Sequence, residues 1–144
     1  MNSAGFLLDV NVIFALSEEE HIHHKQAMRW FDASASDGWG ICCYTETGFL
    51  RLMTNPKVGG HSFEEANAIL AGFTSLPGFR FWPITHRSSE LIQPFFARVY
   101  GHQQIVDAAM FGLALKGDGI FVTLDAAVRY LAGPEFKSHL LVLE

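Results

Sequence analysis

The chain has 144 residues, 49% hydrophobic and 17% charged, with a formal net charge of −5. This suits one folded domain over residues 1–144 with a sizeable core, and it excludes a disordered chain. The acidic balance argues against non-specific phosphate binding through Lys and Arg, and no apolar run reaches the roughly 18 residues of a membrane span.

The N-terminus lacks the basic flank and small-residue cleavage site of a signal peptide. The two cysteines, Cys42 and Cys43, are adjacent and cannot staple distant segments, which points to a reducing cytoplasm.

In chain order, Phe6 to Leu8 reads as a short buried strand that turns at Asp9 and Asn11. A helix is predicted over Glu20 to Ala33, with Ala27, Trp30 and Phe31 on one side. "WGICCY" reads as a second strand, and "TETGFLRLMT" as a helix with Thr45 as its N-cap. "NPKVGG" is a loop. "SFEEANAILAGF" follows as a helix with Ser62 and Glu65 in capping-box register. "FRFWPI" reads as a strand despite Pro83, and "SSELIQPFFARVYG" as two helical pieces divided near Pro94. "QIVDAAMFGLALKG" is a helix with a Gly stop; "GIFVTLD", "AAVRYLAG" and "SHLLVLE" complete the chain as strand, helix and strand. Strands that alternate with helices and are continuously apolar imply an α/β fold with a parallel sheet covered on both faces.

Four acids stand out from this frame. Asp9 ends "FLL" and Asp125 ends "IFVTL", and the carboxyl ends of strands in parallel sheets are where ligands bind. Asp107 lies in an apolar helix and shares a face with Met110, Phe111 and Ala114. Glu46 sits at a strand-to-helix junction. Taken singly, Asp9 and Asp125 are explained as N-caps and Glu46 as a first-turn acid favoured by the helix dipole. Asp107, among apolar neighbours, wants either a hydrogen-bonded niche or a cation. Four converging carboxylates would repel each other and take up protons, whereas a hard divalent cation, Mg²⁺ or Mn²⁺, would satisfy them.

These residues carry a family resemblance. The chain resembles the PIN-domain ribonucleases and, among them, the VapC-type toxins of type II toxin–antitoxin pairs, over Phe6 to Leu143. "LLDVNVIFAL" is similar to the first family motif, "TETGFLRLMTNP" to the second, "VDAAMFGLAL" to the third and "FVTLDAAV" to the fourth. The resemblance implies a three-layer α/β/α sandwich and a catalytic, metal-binding set of Asp9, Glu46, Asp107 and Asp125. Asn11 and Thr123 would be supporting residues. It also implies Mg²⁺- or Mn²⁺-dependent RNA cleavage, a homodimer, and a cognate VapB-type antitoxin that blocks the acidic site. RNA targets of such toxins are often tRNA or rRNA. Two alternatives stay open: an RNA-processing PIN nuclease outside any toxin–antitoxin pair, and a catalytically silent PIN-like binding module. A haloacid-dehalogenase-like phosphatase fits poorly, because Asn11 stands where a second acid is needed, and so does a receiver domain.

Arg51, Lys57, Arg87, Arg98 and Lys116 are candidates to steer phosphates, each with the plainer reading of a surface charge. "HIHH" at His21 to His24 lacks further zinc ligands at standard spacing and reads as an exposed first helical turn. His102 stands five residues before Asp107 and could touch RNA or simply start the helix. Phe79, Phe81, Trp82, Phe95 and Phe96 read as core, part of which could form a groove for the antitoxin.

Overall fold

Four short strands form one parallel sheet in a computed structural model that describes residues 5–144. They are β1 (Phe6–Leu8), β2 (Trp39–Gly40), β3 (Ile120–Thr123) and β4 (Leu140–Val142), in the order β2-β1-β3-β4. Leu8 pairs with Val122, and Thr123 with Val142. The chain leaves β1 for β2 on one side and later returns to β3 on the other. The gap between β1 and β3 is therefore the point where strand order reverses, where open α/β sheets bind ligands.

Successive residues of each strand face opposite sides, so each strand feeds two cores. Leu8, Trp39, Ile41 and Val122 pack under α1 (Val10–Ser17), α2 (His24–Ser34), α3 (Cys43–Thr54) and α4 (Phe63–Thr74). Leu7, Phe121 and Trp82 pack under α5 (Ser88–Ile92), α6 (Ile105–Lys116) and α7 (Val128–Phe136). The result is the expected α/β/α sandwich. Among the described residues, no helix is long and apolar enough to cross a membrane.

Several local expectations are corrected. α2 starts at His24, not Glu20, so His21 and His23 lie in the turn before it rather than on its first turn. β2 is only two residues long, because Cys43 already belongs to α3. Cys42 is the cap of α3, and Thr45 sits inside the first turn. "FRFWPI" forms only isolated bridges, Phe79 to Trp39 and Trp82 to Cys42, consistent with the missing donor at Pro83. Phe81 and Phe96 are exposed, while Trp82 and Phe95 are core. The Ser62–Glu65 capping box and the Gly117 stop of α6 are present.

The segment around Pro94 is helical as expected, with α5 running into a 3-10 turn at Gln93–Arg98. α5 crosses α6 at Gly112, where a Cβ would lie 1.9 Å from the Leu91 carbonyl oxygen. Only glycine lets the two backbones approach this closely. That crossing fixes α6, and with it the acid at its start, against the sheet.

Candidate active site at the sheet switch point

β1 ends at Leu8, and the next residue, Asp9, is both the cap of α1 and the acid at the reversal point. Its Oδ1 accepts a hydrogen bond from the Val10 N–H at 2.7 Å, and its Oδ2 accepts one from the Thr123 hydroxyl, also at 2.7 Å. The cap reading holds and is compatible with a site: capping uses one oxygen, and the Thr123 hydroxyl holds the other across the gap to β3.

Thr123, fully buried at the end of β3, is the hub of this junction. Its hydroxyl donates to Asp9 and accepts from the Asp125 N–H at 3.1 Å and from Asn11 Nδ2 at 3.3 Å. One proton and two lone pairs are thus all used. Asn11 completes the tie by accepting from the Leu124 N–H at 3.1 Å. Asp125 in turn accepts from the Ala127 N–H at 2.9 Å, shaping the turn into α7. The sequence pair of Asn11 and Thr123 is thereby joined into one bracket between β1 and β3.

Asp107 occupies the first turn of α6 and is half-buried rather than buried. Residues Ala108 to Ala114 behind it are all buried. No side-chain hydrogen bond reaches its carboxylate from a described residue. Burial, followed by repulsion from Asp9 and Asp125, pushes its pKa up to about 7. Burial also pushes Asp9 up to about 6, opposed by the Thr123 and Val10 hydrogen bonds and reinforced by Asp125. The structure therefore brings Asp9, Asp107 and Asp125 within electrostatic reach of one another.

Glu46 is half-buried in the first turn of α3 and is not among the acids that perturb Asp107. Its helix is nonetheless held at the same junction. Thr45, fully buried, donates to the Leu8 carbonyl at 2.9 Å, and Gly48 lies against Val10, where a Cβ would come within 2.6 Å. Thr45 is a residue that the sequence reading misassigned as a cap. Its position directly before Glu46 was the available signal.

Among the described residues, no three His, Cys, Asp or Glu side chains are gathered tightly enough to enclose a metal ion. The donor set still fits Mg²⁺ or Mn²⁺. Such ions keep several waters and bind through one or two carboxylates plus substrate oxygens. Two desolvated, mutually repelling carboxylates are also costly without a positive charge between them. The histidines of the "HIHH" run do not offer a competing centre: His24 Nδ1 pairs with the Ala15 carbonyl at 2.7 Å, and His21 Nδ1 accepts from the His23 N–H at 3.0 Å.

The basic candidates do not line this site. Lys116 lies nine residues along α6 from Asp107, about 14 Å at 1.5 Å per residue. Arg98 pairs with Glu135 at 3.8 Å and covers Gly133. His102 does reach the site, in a cavity of about 360 Å³ that Asp107 and Asp125 border.

Comparison with known proteins agrees with this architecture. The PIN domain family profile matches residues 6–134. Ribonuclease VapC38 of Mycobacterium tuberculosis is 37% identical over 139 residues, covering 95% of this chain and 96% of that protein. Ribonuclease VapC39 of the same organism is 38% identical over 129 residues, covering 85% of this chain and 89% of that protein. Among solved structures, M. tuberculosis VapC20, described as a sarcin-ricin loop cleaving toxin, superposes with a TM-score of 0.58 at 19% identity. That match covers 77% of this chain and 82% of the other, a likeness of fold alone.

Proposed function

Because the chain belongs to the PIN domain family, we propose that it is a Mg²⁺- or Mn²⁺-dependent endoribonuclease, the toxin of a VapBC-type toxin–antitoxin pair. One observation carries the chemistry: desolvated Asp9 and Asp107 lie, with Asp125, within electrostatic reach of one another at the β1–β3 reversal point. A group of that kind binds a hard divalent cation, a cation so held can serve phosphate esters, and the ribonuclease relatives point to RNA among them.

Asp9 and Asp107 would hold the ion, with Asp125 and Glu46 as further or water-mediated ligands. When bound, the ion supplies Lewis acidity toward the phosphoryl oxygens and the activation of water for hydrolysis. The protein's own part is preorganisation. Thr123 and the Val10 N–H fix the Asp9 carboxylate in one rotamer. Asn11 and Thr123 together hold the loop that presents Asp125. With pKa values of about 6 and 7, both ligands are partly protonated near neutral pH in the absence of metal, so loading the site releases protons. No side-chain nucleophile is needed, and the net acidity of the chain does not oppose RNA binding at a cation-loaded rim.

The partners follow the same reading. The exposed apolar residues Phe96, Ile105 and Val106 give the region before and at the start of α6 surface to bury against a second copy or a VapB-type antitoxin. The compartment is the cytoplasm, where tRNA or rRNA is available. Purified chain free of its inhibitor, incubated with total RNA and Mg²⁺ or Mn²⁺, should cleave it. A folded Asp9→Asn variant that cleaves equally well would sink the proposal. Growth arrest on expression, relieved by a small neighbouring gene product, separates a toxin from a processing nuclease.

A further inference from the structure

The cavity bordered by Asp107 and Asp125 has walls that phosphate chemistry does not require. Tyr100 stands at its mouth, 74% exposed, in the segment leading to α6. That ring is not loose. Its hydroxyl is hydrogen-bonded to the hydroxyl of Tyr130 on α7, and the two ring centroids lie 5.4 Å apart at a 32° tilt. Tyr130 packs against Tyr100 without lining the cavity, and the Tyr100 ring keeps most of its surface exposed.

Gln104 adds the second element. Its Oε1 accepts from the Tyr100 N–H at 2.6 Å, which fixes the carboxamide and turns its NH₂ away as a donor with no described partner. Leu131 gives an apolar floor, and His102 stands on the rim. An aromatic platform, a fixed amide donor and an apolar floor make a mixed pocket of about 360 Å³, within the size range of small-ligand sites. Single-stranded nucleic acid is held in this way, by stacking on an aromatic face and by hydrogen bonds to the exposed base edge.

We propose that this cavity receives an unpaired nucleobase adjacent to the scissile phosphate, with Tyr100 as the stacking platform and the Gln104 carboxamide reading the base edge. Tyr130 is a positioning residue that holds the Tyr100 ring. The inference rests on the RNA-cleavage reading, since the cation that the bordering carboxylates would hold is what would meet the neighbouring phosphate. It adds the source of sequence preference: the substrate must present an unstacked base beside the cut, as loops and single strands do.

The test separates the cavity from catalysis by using neutral nucleosides without metal, so that no phosphate meets the carboxylates. In ¹⁵N-resolved NMR titrations with adenosine, guanosine, cytidine and uridine, at least one should shift the amides of residues 100–107 and 125–131. Tyr100→Ala should weaken that binding about 10- to 100-fold, the range of a lost stacking contact. Tyr100→Phe should retain most of it, and Phe63→Ala, an exposed aromatic on α4, should leave it unchanged. The same spectra report whether each variant is folded.

Absence of shifts with every nucleoside, or shifts that Tyr100→Ala does not weaken, overturns the proposal. Shifts produced by arginine amide alone overturn it in favour of a cationic protein side chain. In the second arm, cleavage sites are mapped on a randomised RNA. Tyr100→Ala should flatten the base preference beside the cut while metal affinity stays unchanged, and an unaltered preference counts against the inference. Nucleoside binding without any RNA cleavage would support the pocket and refute the catalytic reading instead.

Discussion

Asp9 and Asp107 face the same gap, yet the fold treats them differently. Asp9 is almost fully buried and receives two hydrogen bonds, from Thr123 and Val10. Asp107 is less buried and receives none from a described residue. Both are pushed well above the ordinary carboxylate value, Asp107 to about 7 and Asp9 to about 6. Burial leads the causes for both, but at Asp9 the protein's own donors stabilise the anion, while at Asp107 repulsion from Asp9 and Asp125 adds to the burial. The lesson is a division of labour. Asp9 is a carboxylate to which the fold already supplies donors, and Asp107 is one to which the described residues supply none, the part that the proposed cation would play.

The sharpest way to break that contrast is to neutralise each acid in turn. Asp9→Asn and Asp107→Asn should each lower RNA cleavage by more than about 100-fold, beyond the range for losing an outer hydrogen-bond partner. They should differ in metal-free stability. Asp107→Asn removes an unsatisfied charge and should raise the thermal midpoint in EDTA at pH 8. Asp9→Asn should gain less, because its amide meets the Val10 N–H and the Thr123 hydroxyl with one acceptor fewer. Equal gains in the two variants would erase the distinction.

The pH dependence of metal-free stability sharpens it further. Both acids bind protons more tightly when folded than the unfolded value of 3.8. Between pH 4 and about 7 the folded state therefore carries more protons, and stability must fall as pH rises through that window. For Asp9 alone the full fall is about 3 kcal/mol at roughly 1.4 kcal/mol per unit. Chemical denaturation in EDTA at pH 5 and pH 8 measures it. Asp107→Asn should flatten the upper part of the slope, toward pH 7, and Asp9→Asn the lower part. Millimolar Mg²⁺ should restore stability at pH 8 in the wild type only. A wild-type profile that rises from pH 5 to pH 8 would contradict the assignment.

How much of this was readable from the residues depends on distance along the chain. Asp9 and Asp125 were legible because an acid that closes a continuous apolar run can be located without knowing the fold. The cap at Ser62 and the stop at Gly117 were local for the same reason. Asp107 was legible as an anomalous acid in an apolar helix whose start fell within one residue of Ile105. It was expected buried and is half-buried, because the 3-10 turn at His102–Gln104 brings the helix start to the surface. Thr45 was expected as the N-cap and instead sits at the third position of α3. There its hydroxyl accepts from the Cys42 N–H and donates to the Leu8 carbonyl 37 residues away, a contact with no local signal. Beyond the two acids that border it, only His102 of the Tyr100 pocket was legible, because the pocket joins a loop, a helix start and α7 across 30 residues. For Glu46 the fold provides the junction but not a contact with the other acids.

The smallest perturbations test whether the Asp9 side is prepared by the Thr123 hydroxyl or by the packing around it. Thr123→Val keeps the shape and removes the hub. It leaves the Asp125 N–H, Asn11 Nδ2 and Asp9 Oδ2 each one partner short, and should cost about 1–3 kcal/mol and about 10- to 100-fold in activity. Thr123→Ser does the opposite. It keeps all three hydrogen bonds and loses one buried methyl, worth about 0.8 kcal/mol, with cleavage expected to stay within about threefold of wild type. Asp9 should then titrate higher in the Val variant than in the Ser variant, because only the former loses the hydrogen bond that lowers its pKa. Carboxylate NMR of Asp9 in the two variants, free of metal, reads that ordering directly. If Ser and Val titrate alike, Asp9 is held by packing alone and its contrast with Asp107 reduces to depth of burial.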